Sequence, residues 1–448
     1  MILNPDQENA FEELKKFYAD PSRQLIIIVG PGGSGKTASV VKFLQQFYQL
    51  AYPICLTAPT NKAVGVLDSF SKDVGKFMKT STIFKLLGLV VGADGEEKTT
   101  FSAHDGMLDR YKTVVLDEGS MASRLLCNKL QDKLDESPNT KVVVMMDKCQ
   151  LPPVNERQSY IYDMGKVVEL SIDMRSGNGP LLQAKRAVRD IVLARLDGNN
   201  AKTLQYQFKT DLDETESGVH LLTGRAFEDA MLDMFDTQQY KDDPNFVRVL
   251  AWTNKEVDRL NRLIRARIYG KDCDAYMEGE RICVLTPVRD EKTDEPVFET
   301  DEEVEVVSLE VADYVDYTDQ DATDESRRTY KVFRAQLKKS NGTLKMVQLL
   351  HPDSERKFKR RLEFISSQCR AKKRPWTQFW SAKDDMFVNA RPAHALTVHK
   401  SQGQTFGCTF VNMKDVMRNH VPLERAQLVY VATSRPTTDL VVNVKTFY

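Results

Sequence analysis

Up to about residue 175 the chain alternates two kinds of segment. Short apolar, β-branched runs stand at Leu25–Val29, Ile54–Thr57, Thr113–Leu116, Lys141–Met145 and Val167–Leu170, with helical patterns between several of them. The runs are continuous rather than alternating, so these strands bury both faces. The rhythm predicts a parallel sheet covered by helices on each side. One stretch departs from it. Residues 88–112 hold Ala93-Asp94-Gly95 between two short β-prone pieces, which reads as a small β-hairpin insertion.

A second α/β rhythm begins near Leu181. Its clearest strand is Val247–Thr253, followed by a helical pattern from Lys255 to Ile268. From 286 to 385 the pattern turns to alternation, as in Glu303–Leu309 and Tyr330–Leu337, and predicts an inserted, mostly β module. The α/β rhythm resumes at Ala393 and closes with Leu440–Val444. The expected division is therefore one α/β domain over 1–180, a second over 181–285 and 386–448, and the insertion over 286–385.

Composition adds boundaries. A length of 448 residues allows about three domains at roughly 150 residues each. Hydrophobic residues are 41% and charged residues 28%, an ordinary globular balance, and no apolar run reaches the ~20 residues of a membrane span. Met1-Ile2-Leu3-Asn4-Pro5-Asp6 lacks the parts of a signal peptide, so a cytoplasmic location is expected. Seven cysteines without a Cys-x-x-Cys pair predict buried reduced thiols rather than a zinc site or a disulfide framework. The net charge of -1 hides local asymmetry: sixteen acids against one Lys over 290–325, and nine Lys/Arg against three acids over 351–376. Any nucleic acid must follow local basic and polar groups and avoid the acidic stretch.

The strongest chemical signal is Gly30-Pro31-Gly32-Gly33-Ser34-Gly35-Lys36-Thr37, set between the run Leu25–Val29 and a helical stretch. Glycines let backbone N–H groups converge on phosphate oxygens, and the helix N-terminus adds positive potential. In such a loop Lys36 bridges the β- and γ-phosphates of ATP, and Thr37 places its hydroxyl on Mg²⁺. The run Val114-Val115-Leu116 ends in Asp117-Glu118, which supplies a carboxylate for Mg²⁺ and a general base for the attacking water.

Motif by motif, the chain resembles superfamily 1B DNA helicases. Gln7 is similar to the adenine-reading glutamine upstream of the loop. Ala58-Pro59-Thr60-Asn61-Lys62-Ala63 resembles the DNA-contacting motif Ia, with Pro59, Thr60 and Asn61 as its DNA contacts, and Asp117-Glu118-Gly119-Ser120-Met121 matches motif II. Asp147 to Val154 resembles motif III, with Gln150 sensing the γ-phosphate. Met174-Arg175-Ser176 resembles motif IV, Ala395 to Thr405 motif V, and Tyr430 to Arg435 motif VI. The segment Pro375 to Lys383 is similar to the compact phage branch of the superfamily, with RecD-type enzymes as cousins. Met146, Phe84 and Ser434 stand where the family pattern has Gly, His and Thr.

The resemblance implies two RecA-like domains in tandem, a hairpin pin in the first and a small β, SH3-like module in the second. It also implies 5′→3′ translocation on single-stranded DNA, action at junctions with duplex, and a phage role in replication or recombination. A single-strand-binding protein or replication proteins would be the partners, and the location the host cytoplasm. Arg175 and Arg435 are candidate fingers for the charge that develops on the γ-phosphate, worth roughly 10³–10⁵ in rate. Both lie on the same chain as the loop, so a monomer suffices. Arg435 follows an apolar, strand-like stretch.

Within motif V, Gln402 and Gly403 are expected nearest the nucleotide. Thr60, Asn61, Thr82, Thr253, Asn254, Thr397, His399 and Lys400 are candidates for the DNA backbone, placed at loop ends where α/β sheets bind ligands. Phe84, Phe101, Trp376 and Trp380 either stack on bases or belong to the core, and Phe101 is the candidate wedge. The basic run Arg356–Arg361 either touches the backbone or forms a solvated face. The expected activity is ATP-dependent duplex unwinding. The alternative is a translocase, stimulated by single strands, that displaces proteins without processive unwinding.

Overall fold

The run Leu25–Val29 is a strand with every residue buried, and the sheet grows outward from it. The computed structural model describes residues 3–47, 53–72, 78–91, 97–99, 107–153, 156–171, 179–199, 205–290, 296–319 and 328–447. Its first part holds β1 (Leu25–Val29), β2 (Ile54–Ala58), β3 (Met78–Thr82), β4 (Leu89–Val91), β5 (Glu97–Thr99), β6 (Thr113–Leu116), β7 (Lys141–Met146) and β8 (Lys166–Glu169). Six of these form one parallel sheet in the order β3-β2-β6-β7-β1-β8. Because β6, β7 and β1 are neighbours, whatever follows their carboxyl ends converges at one edge. β3 carries no apolar run (Met78-Lys79-Thr80-Ser81-Thr82), and only Met78 is buried. It is an edge strand, which the apolar pattern did not foretell.

The hairpin is present in its strands. β4 and β5 pair antiparallel with Leu89 opposite Thr99 and Val91 opposite Glu97. Ala93, Asp94 and Gly95, the expected turn, lie outside the described residues.

A second sheet runs in the order 211–212, 218–221, 436–442, 406–411, 247–251, 395–397. Its central pairs are parallel. The strand expected over Val247–Thr253 stops at Ala251, and a helix runs Asn254–Tyr269. Thr253 is diverted to capping, its hydroxyl accepting the Glu256 N–H at 3.3 Å.

By packing, Met1–Met231, Asn245–Val257 and Leu396–Tyr448 make one compact unit, and Leu232–Pro244 with Asp258–Ala395 make another. Apart from Ala395, the strands of both parallel sheets fall in the first. The second is built on a five-stranded antiparallel sheet in the order 344–350, 329–338, 303–315, 281–284, 390–392. Ile282, Val304, Val306, Phe333, Leu337 and Leu349 form its core. Two helices, Pro352–Arg370 and Trp376–Asp384, join this sheet. The basic run lies on the first of them. There Arg361 is neither on a solvated face nor free for DNA: it is buried against Asp316 (3.0 Å) and Asp319 (2.5 Å) of the acidic stretch. The two oppositely charged stretches pair with each other at this point, because buried charge persists only when matched.

Candidate nucleotide site

β1 ends at Val29, and the glycine loop enters helix Lys36–Phe47. The Gly30 N–H donates to the Met146 carbonyl of β7 at 3.0 Å. A Cβ at Gly30 would stand 2.8 Å from the Leu170 carbonyl oxygen, so no side chain fits. Ser34 is fully buried and its hydroxyl has no hydrogen-bond partner among the described residues. Such an orphan donor in a glycine cradle fits a phosphate oxygen. Lys36 Nζ rests on the carbonyls of Gly30 (2.7 Å) and Pro31 (3.1 Å).

The acid pair stands across from it at the end of β6. Thr37 Oγ1 donates to Asp117 Oδ2 at 3.1 Å, and the Glu118 N–H donates to Asp117 Oδ1 at 2.8 Å. Two hard oxygens side by side fit Mg²⁺, which takes few protein ligands. Glu118 itself has φ 53°, in the left-handed region, at a cost of about 1 kcal/mol or more. The turn is possible because a glycine follows: a Cβ at Gly119 would lie 2.4 Å from Val144 Cγ1. Burial, then the charge of Asp117, lift the Glu118 carboxyl to about 7, while Arg435 and Lys36 pull it down. Burial also raises Asp117, against Lys36, the Glu118 N–H and Thr37.

The end of β7 ties this edge to the second sheet. Asp147 Oδ2 accepts from the Gly32 N–H (3.1 Å) and from the Tyr430 hydroxyl (2.7 Å). Gln427 Nε2 donates to the Gln150 carbonyl at 3.0 Å, and Gln402 Nε2 to Gln150 Oε1 at 3.4 Å. Gly403 (φ 72°) brings its Cα edge to Ala63 of helix Asn61–Lys72, where a Cβ would lie 3.3 Å away. Arg435 is buried and engaged with Val431, Ser434, Ser401 and Gln404. The stretch before it is not a strand. Pro422–Thr433 is a helix, buried along its last eight residues, so its sequence lacks the polar stripe that would have marked it. Gln7 is fully buried. Its Oε1 accepts from the Asn4 N–H (3.2 Å) and its Nε2 donates to the Ser34 carbonyl (3.3 Å), linking the helix cap to the loop.

The polar residues read as DNA contacts lie at carboxyl ends of strands. Thr60 follows β2 behind buried Pro59, caps its helix through the Ala63 N–H (3.3 Å), and is followed by Asn61. Thr82 ends β3 and caps through the Lys85 N–H (3.2 Å). Phe84 packs against the core under the first sheet, favouring its structural reading. Asn254 is exposed, whereas both Thr253 hydroxyl contacts at 3.1 Å go to Asp415. Asp415 also takes the N–H groups of Trp252 and Thr253 (2.9 and 2.7 Å). It shapes that loop, and nothing in its local sequence signalled it. Thr397 is buried and accepts the Lys400 N–H at 3.3 Å. Burial holds His399 below the usual imidazole value, against Glu424. Trp376 and Trp380 are 44% and 38% exposed and belong to the other compact unit. Arg175 and Phe101 lie outside the described residues. Among the described residues no His/Cys/Asp/Glu cluster could hold a further metal, and no helix could cross a membrane.

Residues 2–207 match the family described as an AAA domain, and residues 392–442 the UvrD-like helicase C-terminal domain. Over 460 residues the chain is 26% identical to the ATP-dependent DNA helicase dda of Enterobacteria phage T4, covering 98% of each. A shorter match, 29% of this chain and 22% of the other, is 30% identical to the RecBCD subunit RecD of Haemophilus influenzae. Two solved Pif1 helicases share the fold. One, described unwinding forked duplex DNA, has a TM-score of 0.55 at 16% identity, covering 99% of this chain and 92% of that one. The other, from Bacteroides with ADP-AlF3 and single-stranded DNA, has 0.52 at 15%, covering 99% and 93%.

Proposed function

We propose that this chain, a superfamily 1B helicase that hydrolyses ATP, moves 5′→3′ along single-stranded DNA and separates strands at the junction with duplex. One observation carries the reading. Asp147, at the end of β7, accepts from Gly32 of the phosphate loop and from Tyr430, and Gln150 beside it accepts from Gln402, so the phosphate loop is joined to the layer of the second sheet.

The roles follow from position. The loop amides and Lys36 hold the phosphates, and Gln7 closes the adenine side. Thr37 and Asp117 would hold Mg²⁺, which would supply positive charge against the phosphate oxygens. Glu118, with a value near neutrality, takes the proton from the attacking water. Gln150 senses the γ-phosphate and relays its state to Gln402. Arg435 hydrogen-bonds the carbonyls of Ser401 and Gln404. Turning its fork toward a developing phosphate charge releases that segment, which continues from Thr397, His399 and Lys400. Hydrolysis is thereby linked to the residues that grip DNA, a two-state element suited to stepping. Arg175 acts as the second finger, Asn61, Thr60, Thr82 and Asn254 complete the grip, and Trp376 offers a stacking face. Phe101 is the wedge, acting against about 1.4 kcal/mol of stacking per step. Loop and finger share one chain, so a monomer acts alone.

The test is ATP-dependent unwinding of one duplex carrying either a 5′ or a 3′ tail, with Lys36→Ala as control. Unwinding from the 5′ tail alone is expected. Unwinding from the 3′ tail alone refutes the direction. Single-strand-stimulated hydrolysis without unwinding makes the protein a translocase that clears proteins from DNA.

A further inference from the structure

Helix Pro180–Leu196 belongs to the layer of the second sheet: Ala184, Val188, Ile191 and Val192 share a buried cluster with Leu428, Val431 and Leu440. Lys185 on this helix is also buried, only 3% exposed, and its Nζ donates to the carbonyl oxygen of Gly32 in the phosphate loop. The other side of Gly32 is held as well. Its N–H donates to Asp147 Oδ2 at 3.1 Å, and the Pro31 carbonyl accepts from Lys36 Nζ at 3.1 Å. Two successive peptide planes of the loop are thus clamped by side chains, and one clamp comes from the other sheet's layer.

The consequence is geometric. In a trans peptide the C=O and the following N–H point in opposite directions. Holding the Gly32 carbonyl therefore sets the aim of the Gly33 N–H, one of the amides at the start of the phosphate cradle. Gly33 has φ 96° and no side chain, so little else in the backbone restrains that plane.

We propose that Lys185 is a positioning residue of the ATPase site. It aims the Gly33 N–H at the nucleotide phosphates, and because it is carried by the second sheet's layer it makes nucleotide affinity respond to DNA held there. The proposal rests on the reading of the loop as the nucleotide site. It adds a cation that lies outside every motif segment quoted above and that acts through the loop backbone rather than on the reacting phosphate.

The experiment measures Mg²⁺–ADP binding to the full chain with a fluorescent ADP, with and without an oligothymidylate, for wild type, Lys185→Met and Lys185→Arg. Losing a charge-assisted hydrogen bond predicts about tenfold weaker ADP binding in Lys185→Met. The KM for ATP should rise by a similar factor with kcat much less changed. DNA affinity without nucleotide should stay at the wild-type value, and the ratio of ADP affinities with and without DNA should fall toward one. Lys185→Arg should restore most of the loss. Wild-type ADP affinity and DNA response in Lys185→Met overturn the proposal, as does a loss that Lys185→Arg leaves unrepaired. Should Lys185→Met fail to fold, Lys185→Gln, too short to span the gap, takes its place with the same expected and overturning results. Failure of the wild type itself to bind ADP refutes the nucleotide site instead.

Discussion

Replacing Glu118 by Gln removes a charge that the fold resists. Burial, and then the charge of Asp117, lift this carboxyl from its ordinary 4.5 to about 7. The folded value lies above the unfolded one, so the ionised side chain costs stability. The cost is absent below about pH 4.5, grows between 4.5 and 7, and is constant above 7. At about 1.4 kcal/mol per unit the span corresponds to about 3 kcal/mol. Glu118 keeps some solvent contact and shares its repulsion with Asp117, so about 1 to 2 kcal/mol is the working figure. Glu118→Gln keeps the shape and loses the ionisation. Without Mg²⁺ or nucleotide the variant should melt above the wild type at pH 8, with the gap narrowing as pH falls to 5.5. Hydrolysis should fall by roughly 10²–10⁴, and wild-type kcat/KM should decline below about pH 7 as the base takes up its proton. Calorimetric melting at several pH values, with steady-state phosphate release, tests both halves. A gap that does not widen with pH, or a variant that melts lower at pH 8, refutes the picture of a base held against its own charge.

Lys36→Ala should abolish ATP hydrolysis while single-stranded DNA binding persists, checked by phosphate release and fluorescence anisotropy, because the DNA is held by other loops. Gly119→Ala places a Cβ 2.4 Å from Val144 Cγ1; overpacking of that kind costs about 1 to 3 kcal/mol, read as a lower urea midpoint. Arg435→Lys keeps a cation but loses the fork, and hydrolysis at saturating ATP should drop by roughly 10³, with a lower melting temperature because Lys cannot serve all the buried partners of the guanidinium.

What the sequence determined by itself was everything that depends on residues close together in the chain. Four of the five apolar runs became buried parallel strands because a strand covered on both faces has no polar positions to alternate, whereas the fifth became β8, an edge strand in which only Val168 is buried. The glycine loop and the Asp-Glu pair were legible because each works through its immediate neighbours, whereas the capping by Thr60, Thr82 and Thr253 was seen only in the structure. Tertiary structure decided what depends on a distant partner. β3 is a strand because it pairs with β2 at an edge, not because it is apolar. Pro422–Thr433 passed for strand-like because its last eight residues are buried together. Arg361 had the composition of a DNA contact and is consumed by Asp316 and Asp319. Asp415 and Lys185 carry no local signature, yet they shape the loops that do. A side chain's chemistry is written in the sequence, but the group it neutralises or aims is chosen by packing, which brings together segments far apart along the chain.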